Sequence, residues 1–339
     1  MKAIYLSKLM AASILLFAMT FLSSCKDSES STEEPGTEIN GGENEDPEGG
    51  NDGNSSEVAA AVPLITLNNG AKMPQLGLGT YNQGSNETAY RSVLTALRAG
   101  YRKIDTAHLY YDEEGVGQAI NEFMEESGTP REDIWVTSKL TTTDYNSNNT
   151  MASIDAMLQR LQLDYVDLLY IHHPQGRVEE AWPVLEEAVR QGKVRTLGVS
   201  NFDRDTNLLR RIMETSEIKP STIQVECHPY RQLPEFRKLC AEYDLQVESW
   251  FPLGGTMSNG ALLREQVITD IAAAHGKTAA QVILRWHMQM GFCTFPGSRN
   301  PDHIRENIDI FDFELTDEEM AQIEGLNRNR GIFNTDYYE

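Results

Sequence analysis

The stretch "VDLLYIHHPQGRVEEAWPVLEEAVRQGKVRTLGVSNF", residues 166–202, contains the repeating unit that decides the fold. An apolar run at its start is followed by a segment with apolar residues at helical spacing, and then by a second apolar run. Two strands joined by a helix lie parallel in one sheet, because the helix returns the chain to the end where the first strand began. The stretch therefore predicts a β–α–β unit.

The same unit recurs along most of the chain. Eight short strands are predicted, at residues 75–80, 102–106, 133–140, 166–173, 194–202, 222–226, 245–250 and 293–298. Helices are predicted between most of them, at residues 87–100, 116–128, 150–162, 178–192, 204–216, 233–244 and 278–291. Eight such units predict an α/β fold of the closed (β/α)8, or TIM barrel, type. Asn69-Gly70 lies between two short apolar runs and predicts an N-terminal β-hairpin.

An open, doubly wound sheet is the alternative fold for an alternating pattern. That fold usually carries a G-x-G-x-x-G motif after its first strand, where a dinucleotide binds. Here the first strand gives Gly77 and Gly79, and the next glycine is Gly84, so the motif is absent. The closed barrel is therefore the favoured prediction.

The composition fits a globular protein and limits its partners. The 339 residues are 40% hydrophobic and carry a formal net charge of −22. This charge argues against nucleic acid, or an anionic membrane surface, as a binding partner. Cys227, Cys240 and Cys293 match neither a zinc site nor a disulfide framework, so we expect free, buried thiols.

The N-terminus has the features of an export signal. Lys2 and Lys8 precede an apolar run at residues 9–22, which predicts a signal peptide over residues 1–24. The run ends in Leu-Ser-Ser-Cys25, which resembles the lipobox of bacterial lipoproteins, in which the cysteine is lipidated. An ordinary signal peptide with a chance cysteine is the alternative.

An acidic segment separates the signal from the folded domain. Residues 26–62 carry eleven acids and one lysine, with almost no large apolar side chains. Such a segment cannot bury enough surface to offset its ordering entropy, so residues 25–61 are predicted to be a disordered tether. The barrel domain is predicted over residues 62–339. The expected location is the cell envelope, periplasmic or surface-exposed, with the membrane contacted only through the lipid.

Polar side chains are predicted at the carboxyl ends of three neighbouring strands. Asp105 ends the second strand and Tyr110 follows it, Lys139 ends the third, and His172 ends the fourth. Catalytic residues of such barrels lie at these strand ends, so the four side chains are expected side by side. A lysine favours the phenolate form of a nearby tyrosine, and an aspartate keeps that lysine charged. Together with a neutral histidine, they could protonate a carbonyl oxygen.

Each of these residues also has an ordinary structural interpretation. Asp105 could cap a helix, Lys139 could be a solvated loop residue, Tyr110 could be a packing residue, and His172 could be a hydrogen-bonded core histidine. Their joint position at successive strand ends favours the catalytic interpretation. His108, His172 and His173 lack the carboxylate or thiol spacing of a regular metal site, so no metal is predicted.

The motifs resemble the aldo-keto reductase family over residues 63–330. They are "GYRKIDTAHLYYDEEGVG", "TSKL", "LLYIHHP", "LGVSNF", "IQVECHPY", "FPLGG" and "FPGSRNPDHIRENI", in the family's order and spacing. The resemblance implies a catalytic tetrad of Asp105, Tyr110, Lys139 and His172. It also implies a nicotinamide cofactor that lies extended across the rim of the barrel without a Rossmann domain.

The resemblance also implies further site residues. The cofactor-binding positions are Thr80, Tyr81, Ser200, Asn201, Gln224, Trp250, Leu253, Gly254, Ser298, Arg299, His303, Glu306 and Asn307. Of these, Ser200, Asn201 and Gln224 match the carboxamide-binding positions, and Trp250 matches the aromatic residue that stacks on the nicotinamide. The candidate substrate-pocket walls are Tyr81, His108, Tyr111, His173 and Phe251.

Some positions depart from the family pattern. The lysine and arginine that usually bind the 2′-phosphate are replaced by Gly297 and His303, although Arg299 is adjacent. NADPH is therefore the expected cofactor, with NADH as the alternative. Two tryptophans often found in the pocket are replaced by Thr141 and His173, which makes the pocket more polar.

The expected activity is NADPH-dependent reduction of a small aldehyde or ketone by a monomer, with Tyr110 as the general acid. An exported lipoprotein has no obvious supply of NADPH, so a catalytically silent ligand-binding protein on the same barrel is the alternative. A metal-dependent barrel hydrolase is a third class, which the ligand spacing disfavours.

Overall fold

The computed structural model describes residues 62–255 and 258–331. The predicted signal peptide, the lipidation site at Cys25 and the acidic tether lie outside these residues. Within the described ranges, we find no helix that is both long enough and apolar enough to cross a lipid bilayer.

Eight parallel strands form a closed barrel. They are β3 (Leu78–Gly79), β4 (Lys103–Asp105), β5 (Trp135–Leu140), β6 (Val166–Ile171), β7 (Val194–Ser200), β8 (Thr222–Glu226), β9 (Gln246–Trp250) and β10 (Cys293–Thr294). Each strand pairs with the next in chain order. A parallel bridge between Leu76 and Thr294 joins the first strand to the last, with the Gly77 N–H donating to the Thr294 carbonyl at 2.8 Å. The predicted (β/α)8 barrel is confirmed.

Helices surround the barrel. They are α1 (Asn86–Arg98), α2 (Glu113–Ser127), α3 (Thr150–Leu161), α4 (Val178–Arg190), α5 (Thr206–Thr215), α6 (Pro234–Glu242), α7 (Gln266–His275), α8 (Ala279–Gln289), α9 (Pro301–Ile308) and α10 (Asp317–Glu324). Single 3-10 turns cover His108–Tyr110, Arg131–Asp133, Thr142–Asp144, Phe202–Arg204 and Leu262–Arg264. The sequence pattern did not indicate α7, α9 and α10, which are only eight to ten residues long, so each offers few turns over which a helical period can be recognised.

The predicted hairpin closes the amino-terminal end of the barrel. β1 (Leu64–Thr66) and β2 (Lys72–Pro74) pair antiparallel, and Gly70 takes a φ of +84° in the turn between them. The Asn69 side chain donates to the Thr196 hydroxyl at 3.1 Å, near the start of β7. Met73 packs into the barrel against Tyr170 in a small apolar cluster. The carboxyl ends of the strands are therefore the open end.

Candidate active site

The Lys139 ammonium joins three of the predicted tetrad residues. Its Nζ donates to Asp105 Oδ1 at 2.5 Å, to the Thr106 carbonyl at 2.9 Å and to the Tyr110 hydroxyl at 3.3 Å. Lys139 and Asp105 are fully buried, whereas Tyr110 is half-buried. Since β4 and β5 are adjacent and parallel, with Asp105 opposite Thr137, the two side chains point into the barrel at the same end. Three acceptors fix the position of the ammonium group.

The protonation states of Lys139 and Tyr110 depend on their burial as well as on the charges beside them. Burial alone would lower the pKa of Lys139, but Asp105 and Tyr110 hold that pKa above its usual value. Burial raises the pKa of Tyr110 to about 12, and the nearby Lys139 ammonium offsets only part of this effect. The predicted lowering by lysine is therefore present, but burial outweighs it. Tyr110 stays a neutral phenol at physiological pH.

His172 lies beside Tyr110 at the end of β6. The two rings meet edge to face with centroids 6.0 Å apart, and His172 stacks on His173 at 4.5 Å with the planes 3° apart. Burial, with Lys139 and His173 as further causes, holds the pKa of His172 well below its usual value. His172 is therefore neutral, as the sequence predicted, and its buried Nδ1 has no hydrogen-bond partner among the described residues.

Three residues predicted at the carboxamide position are connected to the tetrad. The Asn201 amide donates to the His172 carbonyl at 2.9 Å and to Ser200 Oγ at 3.1 Å, and its φ of +66° turns the chain sharply after β7. The Gln224 amide donates to Asp105 Oδ2 at 2.8 Å. The Trp250 indole N–H donates to Asn201 Oδ1 at 3.1 Å. These contacts bring the ends of five strands, β4 and β6 to β9, into one hydrogen-bonded rim.

The candidate pocket walls fall into two groups. The exposed ring of Tyr81 contacts Tyr110 at 5.2 Å and Phe251 at 5.5 Å, both edge to face, so Tyr81 lies between the proposed acid and Phe251. His108 instead lies 3.1 Å from Asp144 through its Nδ1. Tyr111 is 78% exposed. Aromatic contact with Tyr110 is therefore found for Tyr81 rather than for His108 or Tyr111.

The segments predicted to hold the rest of the cofactor line the same end of the barrel. Thr80 is buried after β3, and Leu253 and Gly254 follow β9, where Gly254 takes a φ of +84°. A Cβ at Gly254 would approach the end of the Leu262 side chain to 2.9 Å. The positive φ is the stronger reason for glycine at this position.

Residues 298–307 begin with a tight turn and continue into α9. Ser298 Oγ accepts from the Asn300 N–H at 3.1 Å, and the side chains of Arg299 and His303 are exposed to solvent. Asn307 is buried, and Glu306 accepts a hydrogen bond from the Thr278 hydroxyl at 2.6 Å. Arg299 is thus accessible to a phosphate, while Glu306 connects α9 to the start of α8.

Two residues near the tetrad were not found by sequence reasoning. Tyr145 accepts hydrogen bonds from the backbone N–H groups of His172 and His173. Asp112 is buried, and burial raises the pKa of its carboxyl to about 6, although the Thr106 hydroxyl donates to it at 2.7 Å. Asp112 directly follows Tyr111 in the sequence, but no local pattern predicts that its carboxyl group is buried.

Metal chemistry has no support from the arrangement of side chains in the described ranges. There, no group of three or more His, Cys, Asp and Glu side chains is placed to hold a metal ion.

Comparison with known proteins identifies the family. The profile of the Aldo/keto reductase family matches residues 75–328. The chain belongs to the aldo-keto reductase family. A glyoxal reductase of Bacillus subtilis is 42% identical over 269 residues, which cover 79% of this chain and 94% of that protein. A morphine 6-dehydrogenase of Pseudomonas putida is 41% identical over 282 residues, covering 79% and 93% of the two chains.

Solved structures of aldo-keto reductases also match. The Bombyx mori aldo-keto reductase, solved in complex with NADP, superposes with a TM-score of 0.77 at 32% identity, covering 82% of this chain and 97% of that one. The protein is therefore an NAD(P)H-dependent oxidoreductase of small-molecule carbonyl compounds. The named relatives act on different compounds, so family membership leaves the substrate of this aldo-keto reductase open.

Proposed function

We propose that this aldo-keto reductase uses NADPH to reduce an aldehyde or ketone to an alcohol, with Tyr110 as the general acid. The observation that carries the proposal is the contact of one buried ammonium, Lys139 Nζ, with both Asp105 and the Tyr110 hydroxyl. A half-buried tyrosine at the open end of a barrel has no structural need for such a partner. A proton donor does need one, because it must carry a negative charge after the transfer.

The cofactor would lie across the rim of the barrel. Trp250 and Asn201 would hold the nicotinamide, the backbone at Gly254 the pyrophosphate, and Ser298 with Arg299 the 2′-phosphate. The binding of NADP by the Bombyx mori relative supports this choice. Reduced nicotinamide, when bound, supplies the hydride that the carbonyl carbon accepts.

The protein's own residues would then manage the carbonyl oxygen. Neutral His172 can donate a hydrogen bond to that oxygen and hold it beside Tyr110. Because the pKa of Tyr110 is about 12, its proton is present at every physiological pH. An alkoxide is a stronger base than a phenolate, so the proton moves from Tyr110 to the new alcohol oxygen. The phenolate that remains lies 3.3 Å from Lys139, which stabilises its charge.

We further propose that the protein acts as a monomer held in the cell envelope by a lipid on Cys25. The monomeric state rests on the resemblance to the family, and the lipidation proposal rests on the sequence alone. Palmitate labelling of the wild-type chain and of Cys25→Ser tests it. Equal labelling of both chains would contradict it.

The activity is tested with a panel of carbonyl compounds and the full chain. NADPH and NADH oxidation is followed at 340 nm with aldoses, α-keto aldehydes, keto acids and aromatic aldehydes. We expect turnover of at least one class with NADPH. If both cofactors quench Trp250 fluorescence but no class is reduced, the reductase proposal fails and a ligand-binding role remains.

A further inference from the structure

A second buried ion pair lies inside the barrel next to the proposed tetrad. Lys103 Nζ and Glu248 Oε2 are 3.0 Å apart, and both side chains are completely buried. Lys103 also lies 3.3 Å from the Met73 sulfur, which belongs to the apolar cluster under the barrel. The Lys103–Glu248 pair therefore lies inside the barrel, between the N-terminal hairpin at one end and the open carboxyl ends of the strands at the other.

The barrel is shaped to admit these polar side chains. A Cβ at Gly77 would come within 2.8 Å of the Lys103 side chain, and a Cβ at Gly198 within 2.4 Å of the Tyr170 ring. At both positions, a glycine leaves the volume that the side chain of Lys103 or Tyr170 occupies. The space for Lys103 and Tyr170 is thus made by two glycines on strands β3 and β7 or next to them.

The pair is connected to the neighbouring Asp105–Lys139 pair in three ways. Lys103 and Asp105 are two residues apart in β4, so their side chains lie on the same inner face. Gln224 is the strand partner of Glu248 and donates its amide to Asp105. The Phe295 ring has Lys103 Nζ 5.8 Å and Lys139 Nζ 6.0 Å from its centre, so both ammonium groups contact one ring.

Stability gives no reason for a charged pair in this place. Two buried charges cost about as much in lost hydration as they gain from each other, and apolar side chains of similar volume often serve as well. Unlike apolar side chains of the same volume, the Lys103–Glu248 pair creates an electric field at its neighbours. With Asp105 and Lys139 it forms two cations and two anions within one buried interior, where charges interact strongly.

We propose that Lys103 and Glu248 are positioning residues that balance the charge of the Asp105–Lys139 pair and thereby set the proton affinity of Tyr110. This inference rests on the proposed function, in which Tyr110 donates the proton. Without the Glu248 charge, the Lys103 cation would turn to Asp105 and compete with Lys139 for it. The interior would also gain a positive charge, which favours the phenolate form of Tyr110.

The effects of neighbouring groups on the pKa of Glu248 are consistent with this charge balance. Burial raises the pKa of Glu248 and Asp105 adds to the effect, whereas Lys103 lowers it. The titratable side chains that face the pair from other positions in the barrel are Asp105, Lys139, Tyr170 and Cys293, with Tyr110 beyond Lys139. Burial raises the pKa values of Tyr170 and Cys293, so both stay neutral at physiological pH.

The test is the pH dependence of carbonyl reduction and alcohol oxidation in charge variants. Glu248→Gln and the double variant Lys103→Met/Glu248→Gln are compared with the wild type from about pH 6 to about pH 12, so that the range reaches the pKa of about 12 of Tyr110. The control is Asp167→Asn, which breaks another buried ion pair, with Arg131 at 2.9 Å, near the start of β6. Thermal unfolding of each variant is measured alongside.

We expect the alkaline limb of reduction to move down by about one pH unit in Glu248→Gln and to return to the wild-type position in the double variant. Asp167→Asn should lower stability and leave the limb in place. The inference is overturned if Glu248→Gln leaves the limb unmoved, or if the double variant is shifted as much as the single one. A Tyr110→Phe chain that still reduces substrate would instead refute the proposed function, whatever these variants show.

Discussion

The Tyr145 hydroxyl accepts a hydrogen bond from the backbone N–H of His172 at 2.7 Å. It also accepts from the N–H of His173 at 3.2 Å and donates to the Leu140 carbonyl at 2.9 Å. One buried hydroxyl thus holds the end of β6 against the end of β5. Because His172 and Lys139 lie on these two strands, Tyr145 fixes the distance between two members of the proposed tetrad.

Tyr145→Phe should therefore impair both stability and turnover. The change leaves two N–H groups and a carbonyl without this partner, which costs about 1–3 kcal/mol in the free energy of unfolding. We also expect kcat to fall several-fold with little change in KM for the cofactor. Tyr165→Phe is the matched control, because the buried Tyr165 hydroxyl has no hydrogen-bond partner among the described residues. Equal kcat in the two variants would contradict a positioning role for Tyr145.

Asp112 should make the free energy of unfolding decrease as the pH rises from about 4 to about 6. Its pKa is raised to about 6 in the folded protein, from an ordinary value of 3.8. The native state therefore holds the proton more tightly than the unfolded state, and this stabilisation is lost as the pH rises through about 6. Asp112→Asn should unfold at higher denaturant concentration at pH 7, by about 3 kcal/mol at most, and should match the wild type near pH 4.

Glu114→Gln is the control for this measurement. Glu114 lies two residues away on the first turn of α2 but is exposed. It should show the wild-type pH dependence of unfolding. An Asp112→Asn chain with that same pH dependence would show that Asp112 does not titrate with a raised pKa.

Arg299 should decide the preference between the two cofactors. If its exposed guanidinium binds the 2′-phosphate, Arg299→Ala should raise KM for NADPH about tenfold and leave KM for NADH unchanged. Arg305→Ala is the control, because Arg305 is also an exposed arginine of this segment but pairs with Asp302 at 3.0 Å. If Arg299→Ala changed KM for NADPH and KM for NADH equally, Arg299 would not be a 2′-phosphate-binding residue.

The barrel and the tetrad contacts could be predicted from the sequence for a physical reason. Parallel strands bring their carboxyl ends to one rim, so the spacing of Asp105, Lys139 and His172 already implied that they meet. The Asp105–Lys139 ion pair confirms that prediction at 2.5 Å.

Other contacts could not be predicted, because they depend on where a side chain points. The contact of His108 with Asp144 at 3.1 Å is one of these, since loop side chains follow no fixed periodicity, and its place in the pocket wall stays a prediction. Lys103 and Glu248 are 145 positions apart and meet only when the barrel closes. The burial of Tyr110, which raises its pKa, likewise depends on distant residues that the local sequence does not reveal.

The most direct test of the account is Tyr110→Phe. Carbonyl reduction and the quenching of Trp250 fluorescence by NADPH are measured on the same preparation, after the fold is checked by circular dichroism. We predict a loss of kcat by a factor of about 100 to 10,000, as expected for removing a general acid, with the Kd for NADPH changed less than about twofold. A folded Tyr110→Phe chain that keeps a tenth or more of the wild-type rate would contradict the account.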